Sequence, residues 1–103
     1  MTSLFKEKII RDRAYLNEVR DLPCIVTGAT PCEPAHIRFG LGGGMGLKPG
    51  DNRVVPLVPQ LHRLQHDIGE ISFWNKQANQ DVGLIMRLLL EVAELRYDRR
   101  NQG

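Results

Sequence analysis

Composition alone gives this sequence no functional identity, because the residues that usually provide one are scarce. Its 103 residues include two cysteines, three histidines and one tryptophan. The net charge of +2 is too small to indicate a nucleic-acid partner by itself. The hydrophobic share of 42% and the charged share of 25% are ordinary for a globular protein. We therefore expect one domain over residues 1–103 with one modest core.

Long apolar segments are also missing. The N-terminus has no apolar stretch of the kind that a secretory signal carries, and no run of about 20 apolar residues occurs that could span a bilayer. We therefore expect a cytoplasmic protein without membrane contact and with reduced thiols. Cys24 and Cys32 could form a disulfide, half of a metal knuckle or two buried thiols, and two small buried residues are the simplest interpretation.

Glycine is concentrated in one place. Half of the ten glycines lie in residues 40–46, which predicts a loop because glycine loses the most conformational entropy on ordering. No frame gives the dinucleotide pattern G-x-G-x-x-G, and Lys48 lacks the Gly-Lys-Ser/Thr context of a P-loop. The segment is either a mobile surface loop or a loop that lets a phosphate backbone approach closely.

Hydrophobic periodicity predicts an α+β domain. Residues 9–19 fit a first helix, which the Leu-Pro pair at 22–23 ends. Residues 24–27 and 33–38 fit two strands of a β-hairpin with an irregular edge, and residues 54–58 form an apolar extended run.

The second half is predicted to be helical. Pro59 is well placed to open a helix that continues to about Ile68 and ends at Gly69. Residues 70–74 are predicted to be a linker whose aromatic side chains cover the core, so that the core spans about 22–74. Residues 75–99 fit a long amphipathic helix, whose wide apolar face suits burial or a homodimer contact. Its apolar positions are Ile85, Met86, Leu88, Leu89, Leu90, Val92 and Leu95.

All three histidines fall between residues 35 and 66. His36 lies in the predicted second strand, whereas His62 and His66 are four residues apart on the predicted helix. Four residues is about one helical turn, so these two side chains point the same way and can hold one ion. The apolar positions of that helix are predicted on nearly the opposite side. They are Leu57, Leu61, Leu64 and Ile68.

These residues suit phosphodiester hydrolysis, which requires a base for water and a cation for the phosphoryl charge. Histidine is the natural base near neutral pH, and a divalent ion supplies the electrostatic contribution. We assign the base to His36 and the metal to His62 and His66, with Asp51 as the best additional ligand. Asn52 either orients the hairpin or shares the ion.

Three basic residues are candidates for phosphate contacts: Arg38, Lys48 and Arg63. Each of them also fits an ordinary solvated surface charge. A short basic surface with one tryptophan gives no code for reading bases, so any sequence preference is expected to be low.

The ordered set of a strand ending near His, an Asp-Asn pair after a loop and a His-x-x-x-His helix resembles the HNH endonucleases, the His-Me finger or ββα-metal family. Four segments carry a closer likeness to small phage and prophage nucleases, a group that includes the phage recombination-enhancement nuclease. They are LPCIVTG (22–28), AHIR (35–38), GMGLKPGD (44–51) and VPLVPQLHRLQH (55–66). The resemblance covers roughly residues 11–74.

The resemblance implies a ββα-metal core and a DNA endonuclease with a role in recombination or DNA processing. His36 would be the general base, His62 and His66 would take the metal and the scissile phosphate, and Asp51 or Asn52 would be the middle motif residue. The ion would be Mg²⁺ or Mn²⁺, with Zn²⁺ or Ni²⁺ suited to the histidine site. DNA is the implied partner, and a recombination protein is a further one.

Two departures from the family pattern keep other functions open. Many relatives carry an Asp or His ligand just before the base, where this chain has Ala35. Thr27, Val58 and Leu61 stand where further zinc-binding cysteines would be expected, so a structural zinc site is not expected. The alternatives are a non-catalytic nucleic-acid-binding module with the HNH fold and a structural or zinc-binding interaction domain.

Overall fold

The computed structural model describes residues 9–39, 49–78 and 81–102. Within these ranges the chain forms four helices and a two-stranded antiparallel sheet, which confirms the α+β prediction. The elements in chain order are α1 (Arg13–Val19), β1 (Glu33–His36), β2 (Val54–Leu57), α2 (Pro59–Ile68), α3 (Glu70–Ala78) and α4 (Val82–Gln102).

The sheet joins segments on either side of residues 40–48, which lie outside the described residues, so the predicted glycine loop stays a prediction. β1 and β2 are antiparallel, with Glu33 opposite Leu57 and His36 opposite Val54. Pro34 faces Pro56, which a two-stranded ribbon tolerates because each strand has an unpaired outer edge. This register places His36 near the start of β2 and Glu33 beside the start of α2.

The predicted hairpin between residues 24–27 and 33–38 is wrong. Residues 25–27 form a turn, which is closed by hydrogen bonds from Gly28 N to Cys24 O and from Cys24 N to Ala29 O. Ile25 N donates to Pro56 O at 2.9 Å, so the turn touches β2 without pairing along it. β2 is buried at all four positions. It therefore offers β1 a more apolar partner than residues 24–27, where Ile25 is 37% exposed.

Helix α1 is shorter than predicted, beginning at Arg13 rather than near residue 9. Asp12 is its N-cap, and the Asp12 carboxylate accepts a hydrogen bond from Tyr15 N at 3.0 Å. An aspartate in this position satisfies a free helix N–H and begins the helix at the next residue. Tyr15 and Val19 are buried and pack with Val54 of β2.

The predicted bounds of α2 are confirmed. Pro59 occupies the first turn, and Gly69 ends the helix with a φ of +91° and an N–H bonded to Gln65 O. The predicted apolar face is partly wrong, because Leu64 is 38% exposed whereas Gln65 is 5% exposed. The buried face of α2 therefore includes Gln65 in place of Leu64.

The C-terminal half differs from its prediction. Residues 70–74 belong to helix α3 rather than to a linker, although Phe73 and Trp74 are buried in the core as expected. The predicted single helix over 75–99 is two helices. Asp81 marks the start of α4, since its Oδ1 accepts a hydrogen bond from Leu84 N at 3.0 Å, as a helix N-cap does.

The apolar face of α4 is divided between core and surface. Met86, Leu89 and Ala93 are buried, whereas four other apolar side chains are 44–53% exposed: Leu84, Leu88, Val92 and Leu95. The sheet lies between two packed groups, with α1 on the Val54 side and α3 and α4 on the Val55 and Leu57 side. Among the described helices, none has the length and apolar character needed to cross a membrane.

Candidate functional site

All three histidines of the chain line one open pocket with a volume of about 610 Å³. β1, the segment that leads into β2, helix α2 and the segment before α1 provide its wall. The lining residues are Arg11, Pro34, His36, Arg38, Pro49, Asp51, His62, Gln65, His66, Gly69 and Glu70. The pocket therefore brings together five of the residues that the sequence singled out, from three separate segments.

On one side of the pocket His36 and Asp51 form a dyad. His36 Nε2 lies 2.9 Å from Asp51 Oδ1. A carboxylate oxygen is an acceptor, so the hydrogen bond assigns the ring proton to Nε2 and leaves the lone pair on Nδ1. His36 is thereby oriented with a basic nitrogen available for proton abstraction.

The Asp51 carboxylate is held on both oxygens. Asp51 Oδ2 accepts a hydrogen bond from Asp12 N at 2.8 Å, and Asp51 N donates to Ile10 O at 2.8 Å. Arg11 Nη1 lies 3.6 Å from Asp51 Oδ1 and donates to Pro49 O at 2.8 Å. With a side chain only 7% exposed and one oxygen bonded to His36, Asp51 is placed to orient His36, and its role as a metal ligand stays a prediction.

On the other side of the pocket His62 and His66 face each other. Their Nε2 atoms are 3.2 Å apart. His62 Nδ1 lies 2.8 Å from Glu33 Oε1, which assigns the His62 proton to Nδ1 and the lone pair to Nε2. A carboxylate behind the second ring nitrogen is the arrangement that orients histidine ligands in metal sites.

The spacing of this pair fits one shared divalent cation. Two nitrogens, each about 2.1 Å from an ion at an angle of about 90° to 110°, lie about 3.0–3.4 Å apart. The Nε2 atoms of His62 and His66 fall inside that range. They are also within hydrogen-bond distance of each other, so a bound ion would replace the proton between them. No group of three or more His, Cys, Asp or Glu side chains in the described ranges is arranged to hold a metal. The protein would therefore supply two ligands, and water or substrate the rest.

Two other predicted residues, Asn52 and Arg63, lie outside the pocket lining. Asn52 does not line the pocket, and its Oδ1 would be 2.6 Å from a Cβ built on Gly50, so its side chain lies over the turn that positions Asp51. Arg63 is exposed on α2 outside the pocket. Lys48 lies outside the described residues.

Arg38 and Glu70 close the end of the pocket. Both residues line it, and Arg38 N donates to Glu70 Oε1 at 2.8 Å. This hydrogen bond ties the segment after β1 to the first turn of α3. The Arg38 side chain is exposed, and it brings a positive charge to the pocket edge beside His36.

Sequence reasoning missed Glu33, Asp12 and Gln65. Glu33 can be linked to His62 only when the register of β1 with β2 is known, because Glu33 faces Leu57 immediately before α2. The signal for Asp12 was local, since an aspartate before a helical pattern predicts an N-cap. A polar residue among leucines gave no sign that Gln65 would be buried.

Cys24 and Cys32 are both buried and are not joined by a disulfide. Burial raises the pKa of the Cys32 thiol, and the neighbouring Cys24 adds to the effect. Burial also acts to raise the pKa of Cys24, but hydrogen bonds from Thr27, Val58 and Val26 outweigh it and lower the value. The two thiols lie in the core cluster rather than in the pocket lining.

The fold and the pocket together define a class: a small α+β protein with three histidines and supporting carboxylates around one cleft. Residues 3–95 match the family model described as "Protein of unknown function (DUF968)", and the chain belongs to this family. Comparison with curated proteins and with solved structures gave no match.

Proposed function

We propose that this protein is a divalent-metal-dependent DNA endonuclease of the HNH kind, in which β1, β2 and α2 form the ββα-metal core. The observation that supports the proposal is that the three histidines have two different kinds of surroundings. One is bonded to a carboxylate and retains a basic nitrogen, and two converge within 3.2 Å. A hydrolytic site needs both a base and an ion site.

His62 and His66 would hold the ion, with Glu33 orienting His62. The bound ion would supply Lewis-acid stabilisation of charge on the phosphoryl oxygens and the leaving group. Imidazole ligands suit ions such as Zn²⁺ and Ni²⁺, and sites with more oxygen ligands suit Mg²⁺ and Mn²⁺. The two-nitrogen site therefore favours Zn²⁺ or Ni²⁺ over Mg²⁺ and Mn²⁺.

His36 would act as general base. Its Nδ1 would take the proton from the attacking water, and the imidazolium formed would keep its Nε2–H bonded to Asp51. A carboxylate in this place keeps the imidazole in the productive tautomer and stabilises the charge that develops on the ring. Asp51 would therefore be a positioning residue, and Asn52 would hold the turn that carries it.

DNA is the proposed substrate because the cationic side chains of the pocket suit a phosphate backbone. Arg11 and Arg38 line the same cleft as the histidines, and Arg11 is half-exposed. Arginine side chains that bind phosphate oxygens fix the register of a nucleic acid without reading its bases. Cleavage with low sequence preference is the expected outcome.

A second candidate function is a nucleic-acid-binding module without catalysis. The observation that favours it is Ala35, which is completely buried in β1 at the position where many HNH enzymes carry a further metal ligand. A site with two protein ligands would bind its ion weakly, and the pocket would then serve only to hold phosphate.

Supercoiled plasmid separates these functions. The protein is incubated with plasmid in Mg²⁺, Mn²⁺ or Zn²⁺, beside a chelator control and the His36→Ala variant. We expect nicking by the parent protein in at least one ion, loss of nicking with chelator and loss of nicking in the variant. DNA retention without nicking, weakening as salt rises, would support the binding module. No interaction with DNA would reject both.

A further inference from the structure

Asp12 joins the two ends of the described chain. Its carboxylate caps α1 through Tyr15 N and also accepts hydrogen bonds from Tyr97 Oη at 3.0 Å and Arg100 Nη1 at 3.1 Å. Arg100 Nη2 also lies 2.8 Å from Glu18 Oε2. We call Asp12, Tyr97 and Arg100 the α1–α4 clamp.

Aromatic packing restricts the clamp further. The rings of Tyr15 and Tyr97 meet edge to face with centroids 4.8 Å apart, and the Arg100 guanidinium lies 5.7 Å from the centre of the Tyr15 ring. Edge-to-face rings and a cation over a ring face are both favourable arrangements. The side chain of Asp12 is therefore held by two residues of α4, Tyr97 and Arg100, which lie more than 80 positions away in the sequence.

The same residue reaches the pocket through its main chain. Asp12 N donates to Asp51 Oδ2 at 2.8 Å, and Asp51 Oδ1 is bonded to His36. Two hydrogen bonds therefore connect the Asp12 backbone to the imidazole of His36. The position of that N–H sets the rotation of the Asp51 carboxylate, and this rotation sets the oxygen that His36 meets.

We propose that Tyr97 and Arg100 are positioning residues for His36, acting through the Asp12 backbone and Asp51. The role of His36 as base rests on the proposed function, whereas the orientation of the His36 ring does not. Loss of the contacts from α4 would leave Asp12 held only by its bonds to α1, and the hydrogen bonds from Asp12 N to Asp51 and from Asp51 to His36 would loosen. Helix α4 would then affect the pocket although neither clamp residue on it lines the cleft.

The test compares Arg100→Gln with Arg99→Gln, its exposed neighbour on α4, and adds Tyr97→Phe. The last variant removes the hydroxyl donor and keeps the ring against Tyr15. Long-range ¹H–¹⁵N correlation of the three histidine rings reports which nitrogen carries the proton, and replacing each histidine in turn assigns the signals. Metal-dependent plasmid nicking is measured in parallel on the same samples, after circular dichroism shows that each is folded.

We expect His36 to carry its proton on Nε2 in the parent and in Arg99→Gln. In Arg100→Gln and Tyr97→Phe part of the population should move to the Nδ1–H form, and nicking should fall by up to about 100-fold, the cost of a misplaced catalytic group. Unchanged tautomers in both clamp variants would overturn the proposal. Absence of nicking in the parent would reject the nuclease and leave the tautomer result to decide the clamp. If Arg100→Gln does not fold, Tyr97→Phe decides alone.

Discussion

The two sides of the pocket contain the same kind of side chain in different surroundings. His36 meets a buried carboxylate that the backbone N–H of Asp12 holds in place, so its other ring nitrogen suits proton transfer. His62 and His66 lie one helical turn apart on α2, and Glu33 lies behind only the first of them. Their two nearest nitrogens face each other and suit an ion. The neighbours of each imidazole therefore decide what it can do.

The largest effects are expected when one histidine from each side of the pocket is replaced, in two separate variants. We expect His36→Ala to lower the rate of metal-dependent nicking by about 10² to 10⁴-fold, the usual worth of a general base, while calorimetry shows unchanged metal affinity. His66→Ala should lose both activity and metal binding. Equal loss of metal affinity in the two variants would show that the sides do not have separate roles.

Asp51→Asn tests whether Asp51 orients His36 or holds the ion. An orienting role predicts a fall in nicking rate approaching that of His36→Ala, because a side-chain amide no longer selects the Nε2–H tautomer, with metal affinity unchanged. A ligand role, as the sequence suggested, predicts weaker metal binding. Calorimetry and rate measurements on the same preparation distinguish the two. The matched control is Asp67→Asn, an exposed aspartate on α2, which should change neither quantity.

Glu33→Gln should have a smaller effect, confined to metal binding on the His62 and His66 side of the pocket. The amide can still accept the hydrogen bond from His62 but loses the negative charge that increases the basicity of the ligand. Changes of this kind behind a metal-bound histidine typically cost about 10–100-fold in metal affinity or activity. Titration with Zn²⁺ measures the change, and Glu70→Gln, which alters a carboxylate elsewhere on the pocket edge, is the control. Unaltered affinity would remove Glu33 from the site.

The smallest expected effect is on acid stability. The hydrogen bond from Tyr15 N, together with those from Tyr97 and Arg100 and against the opposing effect of burial, lowers the pKa of Asp12. A carboxyl group whose pKa is lowered by folding stabilises the protein above its unfolded pKa of about 3.9, and this contribution disappears as the pH falls through the folded value. Asn remains a good N-cap, so Asp12→Asn removes chiefly the charge.

Urea unfolding of the parent and Asp12→Asn at pH 7, 5 and 3 measures this contribution. The free energy of unfolding should fall more steeply with acid in the parent, so that the two proteins differ less at pH 3 than at pH 7. A constant difference across the three pH values would show that the clamp does not stabilise the ionised carboxylate.

Local signals predicted the helix that carries two of the histidines. Pro59 in the first turn and Gly69 after the last are helix start and stop signals that can be read from the local sequence. The four-residue spacing placed His62 and His66 on one face. These features depend on residues within one or two turns of each other. They could therefore be predicted without knowledge of the tertiary structure.

Long-range partners could not be predicted. Residues 24–27 and β2 are both rich in β-branched residues, and only packing decides which of them pairs with β1. The same choice of partner determines that Glu33 reaches His62. Tyr97 and Arg100 contact Asp12 across more than 80 residues of sequence, Tyr97 from the predicted helix over 75–99 and Arg100 from beyond its predicted end. No pattern within a window of neighbouring residues contains this information.

Whether one ion is held between His62 and His66 beside His36 is tested most directly by Mn²⁺ titration of the histidine ring resonances in the NMR spectrum. Paramagnetic broadening should remove the ring signals of His62 and His66 at sub-stoichiometric Mn²⁺ and also broaden those of His36, which lines the same pocket. Three histidine signals that stay sharp at excess Mn²⁺ and do not shift on titration with Zn²⁺ would contradict the metal site, and with it the proposed nuclease.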